Sequence, residues 1–200
     1  MVFSATSASA ALGEGDPMRF LIKQGLYAGA GLVLLAVFTR VDYHALRPLA
    51  PLLLAVAFVG CIAVLAIAPS INGAQRWFLV GPISIQPAEI AKLAVLVWAS
   101  AVLSRRPVPT TLGELLRPVG IVVAVFSALI VVEPDLGTTI ALFVMIAGIL
   151  LVSGVPVRLF ALTATLALGA GALAIWMEPY RRERLFSFLD PWKDAQGAGF

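Results

Sequence analysis

Apolar residues run in six long blocks along the 200-residue chain, parted by short polar connectors. The blocks cover about Phe20 to Thr39, Pro48 to Ala68, Pro87 to Leu103, Leu115 to Val132, Thr138 to Val157 and Leu159 to Met177. Most approach the ~20 residues that cross a ~30 Å hydrocarbon layer at 1.5 Å per residue. Backbone in lipid must satisfy its own hydrogen bonds, which blocks of this length do as helices. Transmembrane strands would be about half as long and would alternate apolar with polar residues. The pattern therefore predicts an all-α integral membrane protein, a polytopic bundle of six transmembrane helices in one domain over residues 1–200. Short connectors predict antiparallel neighbours. Gly25 and Gly29, four residues apart, suit close helix packing.

Composition agrees with that reading. The chain is 60% apolar and 12% charged, with a mean hydropathy of +0.99. Soluble domains carry about 45–50% apolar and about 25% charged residues. A cytosolic enzyme, a secreted disulfide scaffold and a disordered chain are thereby excluded. The net charge of +3, without a basic stripe, gives no footprint for nucleic acid. Cys61 is the one cysteine and His44 the one histidine, so no cluster of metal ligands follows. The cofactor stays open, a divalent cation being one option. The first ten residues lack a basic segment and do not read as a signal peptide.

Charge counting leaves the orientation undecided. With the N-terminus outside, six basic residues lie within (Arg40, Arg47, Arg105, Arg106, Arg117, Arg158) and seven lie outside (Arg19, Lys23, Arg76, Arg181, Arg182, Arg184, Lys193).

Four places break the apolar pattern. Asn72-Gly73-Ala74-Gln75-Arg76-Trp77 reads as a turn with an interfacial indole and a snorkelling cation. In Gln86-Pro87-Ala88-Glu89-Ile90-Ala91-Lys92, Pro87 suits the first position of a helix and Glu89 its third. Lys92, three residues on, shares a face with Glu89. Ionisable groups at membrane depth are costly and face cavities, so this pair can line a site or stabilise a helix end. Glu133-Pro134-Asp135-Leu136-Gly137-Thr138 predicts another proline-opened helix with Asp135 in its first turn, either balancing the dipole or standing at the mouth of a polar cavity. The tail from Pro179 to Trp192 mixes Arg181, Arg182 and Arg184 with aromatics, as an interfacial segment would.

Together these motifs resemble the family of shape, elongation, division and sporulation proteins (FtsW, RodA and SpoVE). The matching pieces are Asn72 to Trp77, Gln86 to Glu89 with Lys92, Glu133 to Thr138, and Tyr180-Arg181-Arg182 through Asp190-Pro191 to Phe200. Arg184 to Trp192 is most similar to the division branch.

The resemblance implies a fold of ten transmembrane helices, of which this chain would hold helices two to seven, with the N-terminus outside. Residues 178–200 would begin a large extracytoplasmic loop. The implied activity is a peptidoglycan glycosyltransferase of the plasma membrane, active at its outer face during cell division. It would polymerise lipid II, with undecaprenyl pyrophosphate as leaving group. Its partners would be membrane lipid, a class B penicillin-binding transpeptidase and other division proteins. The family's catalytic aspartate would fall beyond Phe200, so no residue here is assigned that role and the 200 residues read as an incomplete copy. Expected substrate-binding residues are Arg76, Glu89, Lys92, Asp135, Arg181 and Arg182. Expected motif positions are Gly73, Trp77, Gln86, Pro87, Pro134 and Gly137. Two rivals use the same features: a lipid II flippase, whose polar, proline-broken helices would carry the substrate across, and a non-catalytic scaffold of the division machinery.

Overall fold

The computed structural model describes residues 17–69, 75–80, 83–177 and 182. The chain divides into two compact units, Met1–Pro48 and Leu49–Phe200. In the first unit, α1 (Pro17–Phe38) is an apolar helix whose described side chains are exposed. It ends in a polar turn where Asp42 accepts bonds from the backbone N–H of His44, at 2.9 Å, and from its Nδ1, at 2.8 Å.

The remaining helices are α2 (Leu46–Ile67), α3 (Pro87–Leu103), the short α4 (Leu112–Leu115), α5 (Ile121–Val132), α6 (Leu136–Val152) and α7 (Val157–Met177). Tyr43–Ile67, Leu112–Val132 and Val157–Met177 are long and apolar enough to cross a membrane, while Gln24–Phe38 and Leu136–Val152 are shorter apolar helices. The protein is a polytopic helical membrane protein, as the block pattern predicts.

The core of the second unit is built from small residues. Ala88, Ala91, Val95 and Ala99 form one stripe of α3. Their spacing of three and four residues keeps them on one helix face. They pack with Ala57 and Cys61 of α2, Phe126 and Ile130 of α5, and Leu142, Ile146 and Leu150 of α6. Small side chains let helices approach closely, the main source of packing energy where lipid is as apolar as leucine. Leu93, Val144 and Leu168, which point outward, are more than 60% exposed. In hydrocarbon such exposure costs nothing.

Three local features differ from the sequence expectation. The fifth block was expected to run to Val157, but α6 stops at Val152. Gly154 takes φ +78°, its N–H donates to Leu151 O and that of Val155 donates to Leu150 O. This is a glycine C-cap of the Schellman type. The fourth block is not one smooth helix. Pro118 disfavours helical backbone at the residue before it, and Arg117 is extended at φ −110°, ψ 109°. An irregular turn, Leu116–Gly120, therefore separates α4 from α5. Finally, the connector before α3 contains a hairpin, β1 (Phe78–Val80) antiparallel to β2 (Ile83–Ile85), with Phe78 opposite Ile85 and Val80 opposite Ile83.

Candidate functional site

Of the polar residues singled out by sequence, Arg76, Gln86, Glu89, Lys92 and Asp135 gather where α3 and α6 begin. Pro87 opens α3 as expected, its missing N–H being one that a helix start leaves unpaired. Gln86 is the N-cap, yet its side chain does not cap its own helix. Its Nε2 donates instead to Asp135 Oδ2 at 2.7 Å, joining two helix starts 49 residues apart.

Asp135 was expected in the first turn of its helix, but it stands one step earlier, as the N-cap of α6. There its side chain can satisfy an unpaired N–H. Oδ1 accepts from Thr138 N at 3.0 Å, and Oδ2 accepts from Thr138 Oγ1 at 2.8 Å. Pro134 therefore lies in the connector rather than at the head of the helix. Its carbonyl oxygen accepts from Arg76 Nη2, and the Glu133 carbonyl accepts from Arg76 Nε at 2.8 Å. Arg76 thus straps the segment preceding β1 to the α5–α6 connector. Trp77, beside it, is 37% exposed, consistent with an interfacial indole. A Cβ added to Gly137 would meet Asp135 Oδ1 at 3.7 Å, an ordinary contact, so space alone does not demand glycine there.

One turn further along α3, Lys92 Nζ lies 2.8 Å from Glu89 Oε1. The Glu89 side chain is 55% exposed and that of Lys92 is 17% exposed. Glu89 sits in the first turn, where the helix dipole favours an anion, and it orients Lys92. From Gln86 to Lys92 the axial rise is about 9 Å.

The sequence motif assigns Glu133 no role of its own. Its side chain is fully buried, and neither carboxyl oxygen has a hydrogen-bond partner. Burial, and then the nearby Asp135 charge, push its pKa up from 4.5 to about 7, against the pull of Arg76. The available signal was an acid at the very end of an apolar block. Of the tail, Arg182 is described: its guanidinium lies 5.7 Å from the Trp176 ring centroid, a cation–π contact. Gly73 and Arg181 lie outside the described residues. Among the described residues, no three His, Cys, Asp or Glu side chains converge as metal ligands.

This geometry has relatives. "Probable peptidoglycan glycosyltransferase FtsW" of Shewanella sediminis is 38% identical over all of this chain and 49% of its own length. The protein of the same name from Nitrosococcus halophilus is 37% identical over all of this chain and 52% of its own length. The chain spans about half the length of the curated relatives it matches. Among solved structures, a chain from a peptidoglycan synthase complex superposes with a TM-score of 0.71 at 30% identity, covering 99% of this chain and 60% of that one. The rod shape determining protein RodA of Thermus thermophilus gives 0.64 at 27% identity, covering 86% of this chain and 55% of its own. The family model for cell cycle proteins of the FtsW, RodA and SpoVE group matches residues 1–200. The chain therefore belongs to that family of multi-pass membrane proteins.

Proposed function

We propose that this chain supplies part of the lipid II site of a peptidoglycan glycosyltransferase acting during cell division. In that reaction the 4-hydroxyl of one disaccharide attacks the anomeric carbon of another. A glycosidic C–O bond forms, the bond to the pyrophosphate breaks, the hydroxyl proton passes to a base, and undecaprenyl pyrophosphate leaves. No residue of this chain is assigned as that base.

The observation that carries the reading is the Glu89–Lys92 pair, with Glu89 exposed and Lys92 mostly buried beside it, one turn from the braced junction of Arg76, Gln86 and Asp135. Lys92 offers a cation, and the beginnings of α3 and α6 offer the positive ends of two dipoles, to a pyrophosphate on that side. Arg76 already donates to two carbonyls, so its first role is to hold the junction and its phosphate role is secondary. Arg182, with Arg181, would steer the anionic lipid-linked sugar along the surface. The junction would face away from the cytoplasm, and the partner would be a class B penicillin-binding transpeptidase. A relative named as a glycosyltransferase and a neighbour from a peptidoglycan synthase complex support this reading.

The test is lipid II polymerisation by the protein carrying this chain, with Lys92→Ala and Glu89→Gln. Loss of glycan strands at normal expression is the expected result. Wild-type polymer length and rate in both variants would remove the pair from the site. Lipid II flipping without polymer in liposomes would favour the transporter.

A further inference from the structure

At the other end of α3, about 25 Å along its axis, a cavity of about 200 Å³ opens between the α3–α4 connector and the irregular turn before α5. Leu103 and Val119 supply apolar lining, Pro107 forms part of its rim, and Arg106, Arg117 and Glu114 bring charge. Local sequence explains how the cations reach it. Arg106 follows the last turn of α3, and Pro118 forces Arg117 out of helical backbone at the break between α4 and α5.

The acid in the cavity wall is held by its own loop and keeps its charge, so two cations and one anion leave the lining net positive. Glu114 Oε2 accepts from the backbone N–H of Thr110 at 3.0 Å and from its hydroxyl at 3.4 Å. Among the described residues, the close acid–base contacts are Asp42–His44 and Glu89–Lys92, and the side chain of neither Arg106 nor Arg117 takes part in one or donates a hydrogen bond. A cation after α3 is explained in part by the negative end of that helix dipole; Arg117 comes from a different element, the irregular turn between α4 and α5. Two unpartnered guanidiniums on one partly apolar cavity ask for a bidentate anion with an apolar portion. Exposed Val108 and Leu116 on the same two segments continue the apolar surface beside it.

We propose that Arg106 and Arg117 clamp the phosphate of an anionic phospholipid, whose headgroup enters this cavity while its chains lie along the neighbouring helices. Such pockets between transmembrane helices at the cytoplasmic surface suit acidic headgroups. That the cavity faces the cytoplasm rests on the orientation proposed above; the binding chemistry does not, and the test reads binding rather than polymerisation, so the two can fail separately.

The experiment titrates the detergent-solubilised protein carrying this chain with short-chain phosphatidylglycerol and counts bound lipid by native mass spectrometry. Each of Arg106→Gln and Arg117→Gln is expected to weaken binding about fivefold, and the pair about twentyfold. Arg106→Lys with Arg117→Lys keeps the charge but loses the guanidinium fork, so binding between that of the wild type and that of the double glutamine variant is expected, which separates loss of charge from loss of fold. Arg158→Gln, which removes an exposed cation that does not line the cavity, should leave binding unchanged, and phosphatidylcholine should not bind. Undiminished phosphatidylglycerol binding in the double glutamine variant would overturn the proposal. So would equal displacement of the lipid by millimolar inorganic phosphate or by an acidic peptide, which would assign the cavity to a soluble anion or to a protein partner.

Discussion

Arg76 and Lys92 are both cations near the start of α3, and the fold treats them oppositely. The Arg76 guanidinium is bound to two backbone carbonyls of a connector 57 and 58 residues away. Lys92 holds a single partner, Glu89, itself half in solvent and three residues away on the same helix. One cation closes the structure; the other is oriented but still available. Charge at a helix start is therefore not one signal but two, and hydrogen-bond partners separate bracing from binding better than residue type does. Asp135 belongs with Arg76 on this criterion, since Gln86 and Thr138 engage both of its oxygens.

Removing the two cations should expose this contrast most sharply. Arg76→Ala deletes two charge-assisted bonds and leaves two connector carbonyls without those donors. At about 1.5–3 kcal/mol each, the loss is about 4 kcal/mol, read as a fall in Tm of the detergent-solubilised chain. Lys92→Ala removes one part-exposed ion pair and should change stability by less than about 1 kcal/mol, a correspondingly smaller fall in Tm. Equal Tm values for the two variants would erase the distinction.

The braced side also carries a pH dependence, through Glu133. The pKa of Glu133 in the folded chain is raised from 4.5 to about 7. The folded state therefore binds this proton more tightly than the unfolded state. Below about pH 4.5 both states are protonated and there is no penalty; as pH rises through about 7 the buried charge costs the fold about 3 kcal/mol, at about 1.4 kcal/mol per pH unit. Tm should fall across that window, and Glu133→Gln should flatten the fall. A profile unchanged by Glu133→Gln would assign the dependence to another group.

On the proposed function, the open pair should act chiefly on turnover, where the braced cation has only a secondary part. Lys92→Ala is expected to slow lipid II polymerisation by the protein carrying this chain about thirtyfold, the worth of one charged hydrogen bond of about 2 kcal/mol. Lys92→Arg should recover part of the loss.

Much of this contrast was legible in the chain itself, and its limits have physical causes. Hydrophobic blocks marked the helices because lipid demands an apolar length, and proline marked the start of α3 because a helix start tolerates a missing N–H. The pairing of Glu89 with Lys92 followed from a spacing of three. The bonds of Arg76 and Gln86 did not, since their partners lie 49 to 58 residues away and no local periodicity records them. Three-residue strands such as Phe78–Val80 are too short to show alternation. Arg117-Pro118 did mark the break before α5, but its apolar neighbours masked it. Glu133 read as a polar residue ending a block, while its burial depends on how α2, α5 and α6 meet.

The smallest expected effect tests how tightly the braced junction is held. Gly60 lies on α2, and a Cβ there would come within 3.3 Å of Pro87 Cβ. The pyrrolidine ring cannot rotate away, so Gly60→Ala must push the start of α3 outward by a few tenths of an ångström. Such overpacking costs about 1 kcal/mol, partly offset by the better helix propensity of alanine. The shift falls next to Gln86, whose bond to Asp135 is 2.7 Å long and has little slack. Gln86→Ala removes that bond beforehand, so a double-mutant cycle with Gly60→Ala should show coupling of about 0.5 kcal/mol or more in Tm-derived stability. Strict additivity would mean that α3 absorbs the strain along its length, and that the start of α3 is held by its small-residue stripe rather than by the polar junction at its head.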